Sequence, residues 1–161
     1  MEIKWLRDEG NLFFNDHNVD CVCHVRTELN GERLLSSQPV CTENEDGTPG
    51  VPYMPRPFPL GKWKVLAVIP KTNPYLAPEF ISTDAHQLVD EWTVSLNLKG
   101  DVHYVQKSGR QVEDYGYGLH NSTSKTTLGC GRIIDSNARA DFTKAIRDAW
   151  QNGETVTLEV V

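Results

Sequence analysis

The sequence predicts a mainly β domain, a small mixed-β sandwich or barrel-like fold, with one C-terminal-half α-helix packed on the sheet. Three observations predict it. Short apolar runs alternate with polar residues along much of the 161-residue chain, the period of half-buried strands. All nine prolines fall between Pro39 and Pro78, where they exclude helix interiors and central strands. A single segment near the C-terminus carries an apolar stripe at helical spacing.

Taken in order, residues 18–27 (NVDCVCHVRT) alternate Val19, Cys21, Cys23 and Val25 on one face, a half-buried strand. Asn30-Gly31 is a strong hairpin turn signal and leads to a return strand over 32–36. Residues 48–60 (TPGVPYMPRPFPL) form a rigid extended loop, because proline fixes φ and lacks a donor. The next strand spans 61–70, with Trp63, Val65, Ala67 and Ile69 on one face. A second proline-marked loop follows at 71–78. Residues 92–98 alternate again, Gly100 turns the chain, and 102–106 make a short strand. The helix is expected over 138–151, where Phe142, Ala145, Ile146, Ala149 and Trp150 share one stripe. Asp135, Ser136 and Asn137 offer its N-cap and Gly153 its stop. Residues 154–161 close the chain as a strand, with Val156, Leu158 and Val160 alternating.

This length fits one domain, residues 1–161. Sixteen basic against 22 acidic residues leave a net charge of −6, which argues against a partner bound through phosphate neutralisation, nucleic acid above all. No stretch approaches the ~18 apolar residues of a spanning helix. Charges stand where a signal peptide would be apolar, so cytosolic synthesis, or a matured chain, is expected. Four unevenly spaced cysteines are too few for a disulfide framework. Cys21 and Cys23 point the same way from a strand, a poor geometry for a bridge between them. Together with His24 and Cys41 they could supply soft metal ligands, but core burial explains the pair better, and no metal or other cofactor is expected.

Chemistry concentrates in residues 116–135 (GYGLHNSTSKTTLGCGRIID). Cys130 lies between Gly129 and Gly131, which permit a tight backbone and leave a thiol uncovered. His120 can take the thiol proton to give a thiolate, and Arg132 favours negative charge beside it. Trp63, Trp92, Tyr115 and Tyr117 could line a glycan or peptide groove, or could be core aromatics of strands.

The run Gly118-Leu119-His120 with Thr126-Thr127-Leu128-Gly129-Cys130-Gly131-Arg132-Ile133 resembles the catalytic motif of the L,D-transpeptidase (YkuD-like) family. There a histidine precedes a Ser/Thr-His-Gly-Cys stretch, and an arginine commonly follows the cysteine by two. Residues 58–65 (FPLGKWKV) resemble the family's Pro-x-Gly-x-aromatic strand entry, and small phage and effector relatives share the compact layout. Leu128 stands where the family has its second histidine, and the gap from His120 to Cys130 is shorter than usual. The resemblance implies Cys130 as nucleophile, His120 as general base and acid, and Arg132 as orienting cation. Gly129 and Gly131 supply the natural oxyanion N–H groups, and Thr127 and Tyr117 contact substrate. The implied substrates are peptidoglycan stem peptides, with transpeptidase or carboxypeptidase outcome and no cofactor. The protein would then reach the periplasm or cell wall by export or delivery. A non-catalytic cell-wall or phage-associated module of the same fold is the alternative.

Overall fold

A computed structural model describes residues 1–23, 28–29, 32–33, 56–74, 76–96, 102–121 and 129–161. The chain forms β1 (Glu2–Leu6), β2 (Asn11–Phe14), β3 (His17–Val22), β4 (Glu28–Leu29), β5 (Glu32–Arg33) and β6 (Gly61–Pro70). It continues through β7 (Glu79–Thr83), β8 (Gln87–Leu96), β9 (Val102–Asp114), β10 (Gly118–His120), β11 (Gly131–Ile133), α1 (Ser136–Gln151) and β12 (Thr157–Val160).

Eight of these strands close into a barrel in the order β1-β12-β6-β7-β10-β11-β3-β2. The two ends of the chain meet in it, β1 running parallel to β12 with Glu2 opposite Thr157. The second parallel joint, β10 beside β11, carries the cysteine segment. All other barrel joints are antiparallel. Outside the barrel, β4 pairs with β5, and β8 pairs with β9 as a long separate hairpin. No helix of the described residues is long and apolar enough to cross a membrane.

The period-two rule fills the interior. Ile3 and Trp5 of β1, Leu12 and Phe14 of β2, Ile81, Leu119, Ile133 and Leu158 are all buried, while Glu2 and Lys4 face out. On β6 the expected alternation breaks at a bulge between Val65 and Ala67. The extra residue flips the register, so Val68 packs on the core and Ile69 is exposed. The described end of the proline-rich segment, 56–60, is loop, as expected, but it also feeds the core. Phe58 is fully buried, edge-on to Trp5 at 5.3 Å and to Tyr117 at 5.5 Å.

The helix starts two residues earlier than the spacing predicts, because the Asp135 side chain caps it by accepting from the Ala138 N–H at 2.8 Å. Its buried face is Phe142, Thr143, Ile146 and Ala149, with Phe142 packed on Phe14 at 4.9 Å. Ala145 and Trp150 are only partly covered, so the stripe is turned toward Thr143. Glu79 at the head of β7 accepts from Arg139 at 2.8 Å and from Arg147 at 2.6 Å, tying helix to barrel. The sequence-predicted turn at 30–31, most of the 48–60 loop and residues 97–100 lie outside the described residues, and β9 runs on to Asp114, well beyond the short strand expected.

Candidate active site

The site is built on the parallel pair β10–β11, in which Leu119 lies opposite Gly131 and His120 opposite Arg132. Strand alternation then sorts the segment into two faces. Leu119, Gly131 and Ile133 face the barrel interior. A β-carbon at Gly131 would collide with Leu119 Cδ2, would sit 2.7 Å from the Trp5 ring and 3.1 Å from Cys21 Sγ. That interior crowding, rather than exposure of the thiol, is why position 131 is glycine. Gly129 has a second reason: its φ is +105°, and a β-carbon would lie 2.5 Å from the Arg56 carbonyl oxygen and 2.7 Å from the Tyr117 ring.

His120 and Arg132 stand on the opposite, outer face. Cys130 directly precedes β11, two residues before the position opposite His120. The Cys130 thiol donates to the Gly116 carbonyl at 3.9 Å. His120 is buried, its ring facing Phe80 at 6.3 Å, and its Nδ1 has no hydrogen-bond partner among the described residues.

Burial pushes the Cys130 thiol up to about 11; a hydrogen bond from the Gly118 backbone opposes this, and Cys23 and Asp114 add to it. Burial likewise pushes the His120 imidazole down to about 4, with the Arg132 guanidinium acting in the same direction and the Asn121 backbone against it. At neutral pH the resting pair is therefore a thiol and a neutral imidazole, not a thiolate–imidazolium ion pair.

Tyr117 stands behind the site instead of lining it. It is buried; its hydroxyl donates to Asp114 at 2.7 Å and accepts from Gln87 at 2.8 Å. Burial raises the Asp114 carboxyl, and the Tyr117 hydrogen bond partly offsets this. Thr127 and Leu128 lie outside the described residues, as do His24 and Cys41 of the candidate N-terminal metal site. Cys21 is a core residue, its thiol pushed well up by burial. Cys23 is different: its thiol donates to the Gly129 carbonyl at 3.3 Å and accepts from the Phe58 N–H at 3.4 Å, pinning the residue before Cys130. Sequence spacing gives no sign of that contact, since 106 residues separate its partners. The Asp114–Tyr117 pair, three residues apart, was open to a local reading.

The chain matches no protein-family model, no curated protein and no solved structure.

Proposed function

We propose that this protein is a cysteine-dependent acyl transferase of the L,D-transpeptidase type, acting on peptidoglycan stem peptides. One observation carries the reading: the register sets the His120 imidazole opposite the Arg132 guanidinium on two adjacent strands, and Cys130 stands directly before the second of them. The motif around Cys130 supplies the substrate class.

In this reading the sulfur attacks the carbonyl carbon of the peptide bond before the terminal D-residue. His120, neutral and low in basicity in the free protein, takes the thiol proton as the carbon–sulfur bond forms. It then gives that proton to the departing amine as the carbon–nitrogen bond breaks, leaving a thioester. An acceptor amine or water attacks the thioester and returns the thiol. Backbone N–H groups near Cys130 stabilise the oxyanion, and Arg132 holds negative charge developing beside them. With the thiol at about 11, the free-enzyme rate rises with pH through the neutral and mildly alkaline range.

The same value favours a second reading, a cell-wall-binding module of this fold whose thiol is no longer activated. Mass spectrometry of muropeptides incubated at pH 7 and 9 separates the two. Loss of the terminal D-residue, or cross-linked dimers, is expected with the native chain, more at pH 9, and neither with Cys130→Ser. No turnover at either pH, or turnover that survives Cys130→Ser, overturns the acyl-transfer reading.

A further inference from the structure

We propose that Trp63, His86 and Tyr115 form an aromatic shelf that binds a pyranose ring of an N-acetylated amino-sugar glycan. The three come from different parts of the chain and meet where the β8–β9 hairpin leaves the barrel. The rings of Trp63 and His86 lie 5.5 Å apart edge to face, and those of His86 and Tyr115 lie 5.3 Å apart in a near-parallel stack. The register of the hairpin, with Gln87 opposite Asp114, makes His86 and Tyr115 the next cross-strand pair.

The rings are held in place before any ligand arrives. The Trp63 indole N–H donates to the Pro59 carbonyl at 3.0 Å, and His86 Nδ1 is 3.2 Å from Glu113 Oε2. Yet the outermost ring is left open: Tyr115 is 66% exposed and Leu88 beside it 49%. A Tyr115 ring backed by His86 and left open on its other face loses little entropy on binding.

The rim selects the occupant. Glu113, 42% exposed at its side chain, offers carboxylate oxygen to hydroxyl and acetamido donors. A pyranose presents an apolar C–H face to the electron-rich ring and hydroxyls to the rim, which matches both features.

Tyr115 is followed directly by Gly116, whose carbonyl takes the Cys130 hydrogen bond. A sugar on the shelf would therefore hold its attached peptide toward Cys130; this step, unlike the sugar binding, rests on the proposed acyl transfer.

The test is a titration of the full chain with the tetramer of N-acetylglucosamine, followed by two-dimensional amide NMR, on the native chain, Cys130→Ser, Tyr115→Phe, Tyr115→Ala and His86→Ala. Saturable shifts confined to residues around 63, 86 and 113–116 are expected. Binding should be retained in Cys130→Ser and Tyr115→Phe and weakened roughly three- to tenfold in Tyr115→Ala. His86→Ala should weaken it as well, through loss of the ring that backs Tyr115. No saturable binding, an affinity unchanged by Tyr115→Ala, or uptake of phosphatidylglycerol vesicles without the tetramer overturns the proposal. Tetramer binding by a chain that turns over no muropeptide supports the shelf and removes the enzyme reading; turnover without tetramer binding does the reverse.

Discussion

Gly131→Ala adds a single methyl group, and the structure says where it goes. It would be driven into Leu119 Cδ2, 2.7 Å from the Trp5 ring and 3.1 Å from Cys21 Sγ, all in the barrel interior. Gly131 is not among the glycines with positive φ, so alanine meets no backbone penalty there and the cost is one of packing. Overpacking a tight core by one methyl costs about 1–3 kcal/mol. Three neighbours crowded from different strands place this case near 3 kcal/mol, a large part of a domain stability on the order of 5–15 kcal/mol. With a urea slope of about 2 kcal/mol/M, the midpoint should fall by roughly 1.5 M. Gly153→Ala is the control: its φ is +76° with nothing within 4 Å, so it pays only the left-handed backbone cost of about 1 kcal/mol. Leu119→Ala vacates the space that the new methyl needs. In that background Gly131→Ala should cost clearly less, by about 1 kcal/mol, the Trp5 ring at 2.7 Å keeping part of the penalty. Urea melts of the two single variants and the double variant measure the cycle. An unchanged midpoint for Gly131→Ala, or the same penalty in both backgrounds, would refute the argument.

Two further predictions concern His120 and the helix. His120 has a folded pKa of about 4, below the unfolded value, so the unfolded chain protonates first as pH falls. Stability from this group is complete above about pH 6.5 and is lost as pH drops toward 4, about 3 kcal/mol in all. His120→Gln cannot titrate, so urea midpoints should fall less between pH 7.5 and 4.5 than in the native chain; parallel curves would exclude the depressed value. Along the helix, Phe142→Ala removes a fully buried ring and should cost about 3–5 kcal/mol. Trp150→Ala strips a partly covered side chain and should cost only about 1–2 kcal/mol, and equal losses in the two melts would mean that the turned stripe is misread.

Local periodicity made much of this fold legible. The alternation of 61–70 and the stripe around Phe142 and Ile146 belong to β6 and α1, and the capping residue at 135 acts as its chemistry suggests. Three features were hidden for physical reasons. The bulge at Val65–Ala67 is invisible in composition, and it exchanges Ile69 for Val68 in the core. Strands β10 and β11 have three residues each, too short to show a period, and they become strands only by pairing with β7, with each other and with β3. Strand β1 is short and carries charge at Glu2 and Lys4, which masks the alternate residues Ile3 and Trp5 that fill the barrel. In the site, the residue types at 120, 130 and 132 could be singled out from sequence. The register that sets 120 opposite 132, and the Cys23 thiol pinned to Gly129, depend on pairings across the barrel that no local pattern encodes.

Residues 129–133 show why the core and the candidate site cannot be altered separately. A strand gives its side chains alternately to two faces, so one three-residue strand must serve both. The inward positions are set by their neighbours: Ile133 fills space, and Gly131 leaves it to Trp5 and Leu119. The outward one carries Arg132, and Cys130 stands directly before the strand. A shift of one residue in the β10–β11 register would bring Arg132 into the barrel and Gly131 out of it. Moving a guanidinium into an apolar interior is so costly that the register is held by the interior, and the outward chemistry inherits its placement. The polar face of this strand is therefore positioned by the apolar packing on the other side, which is why a methyl group added inside the barrel is the sharpest probe of the groups outside it.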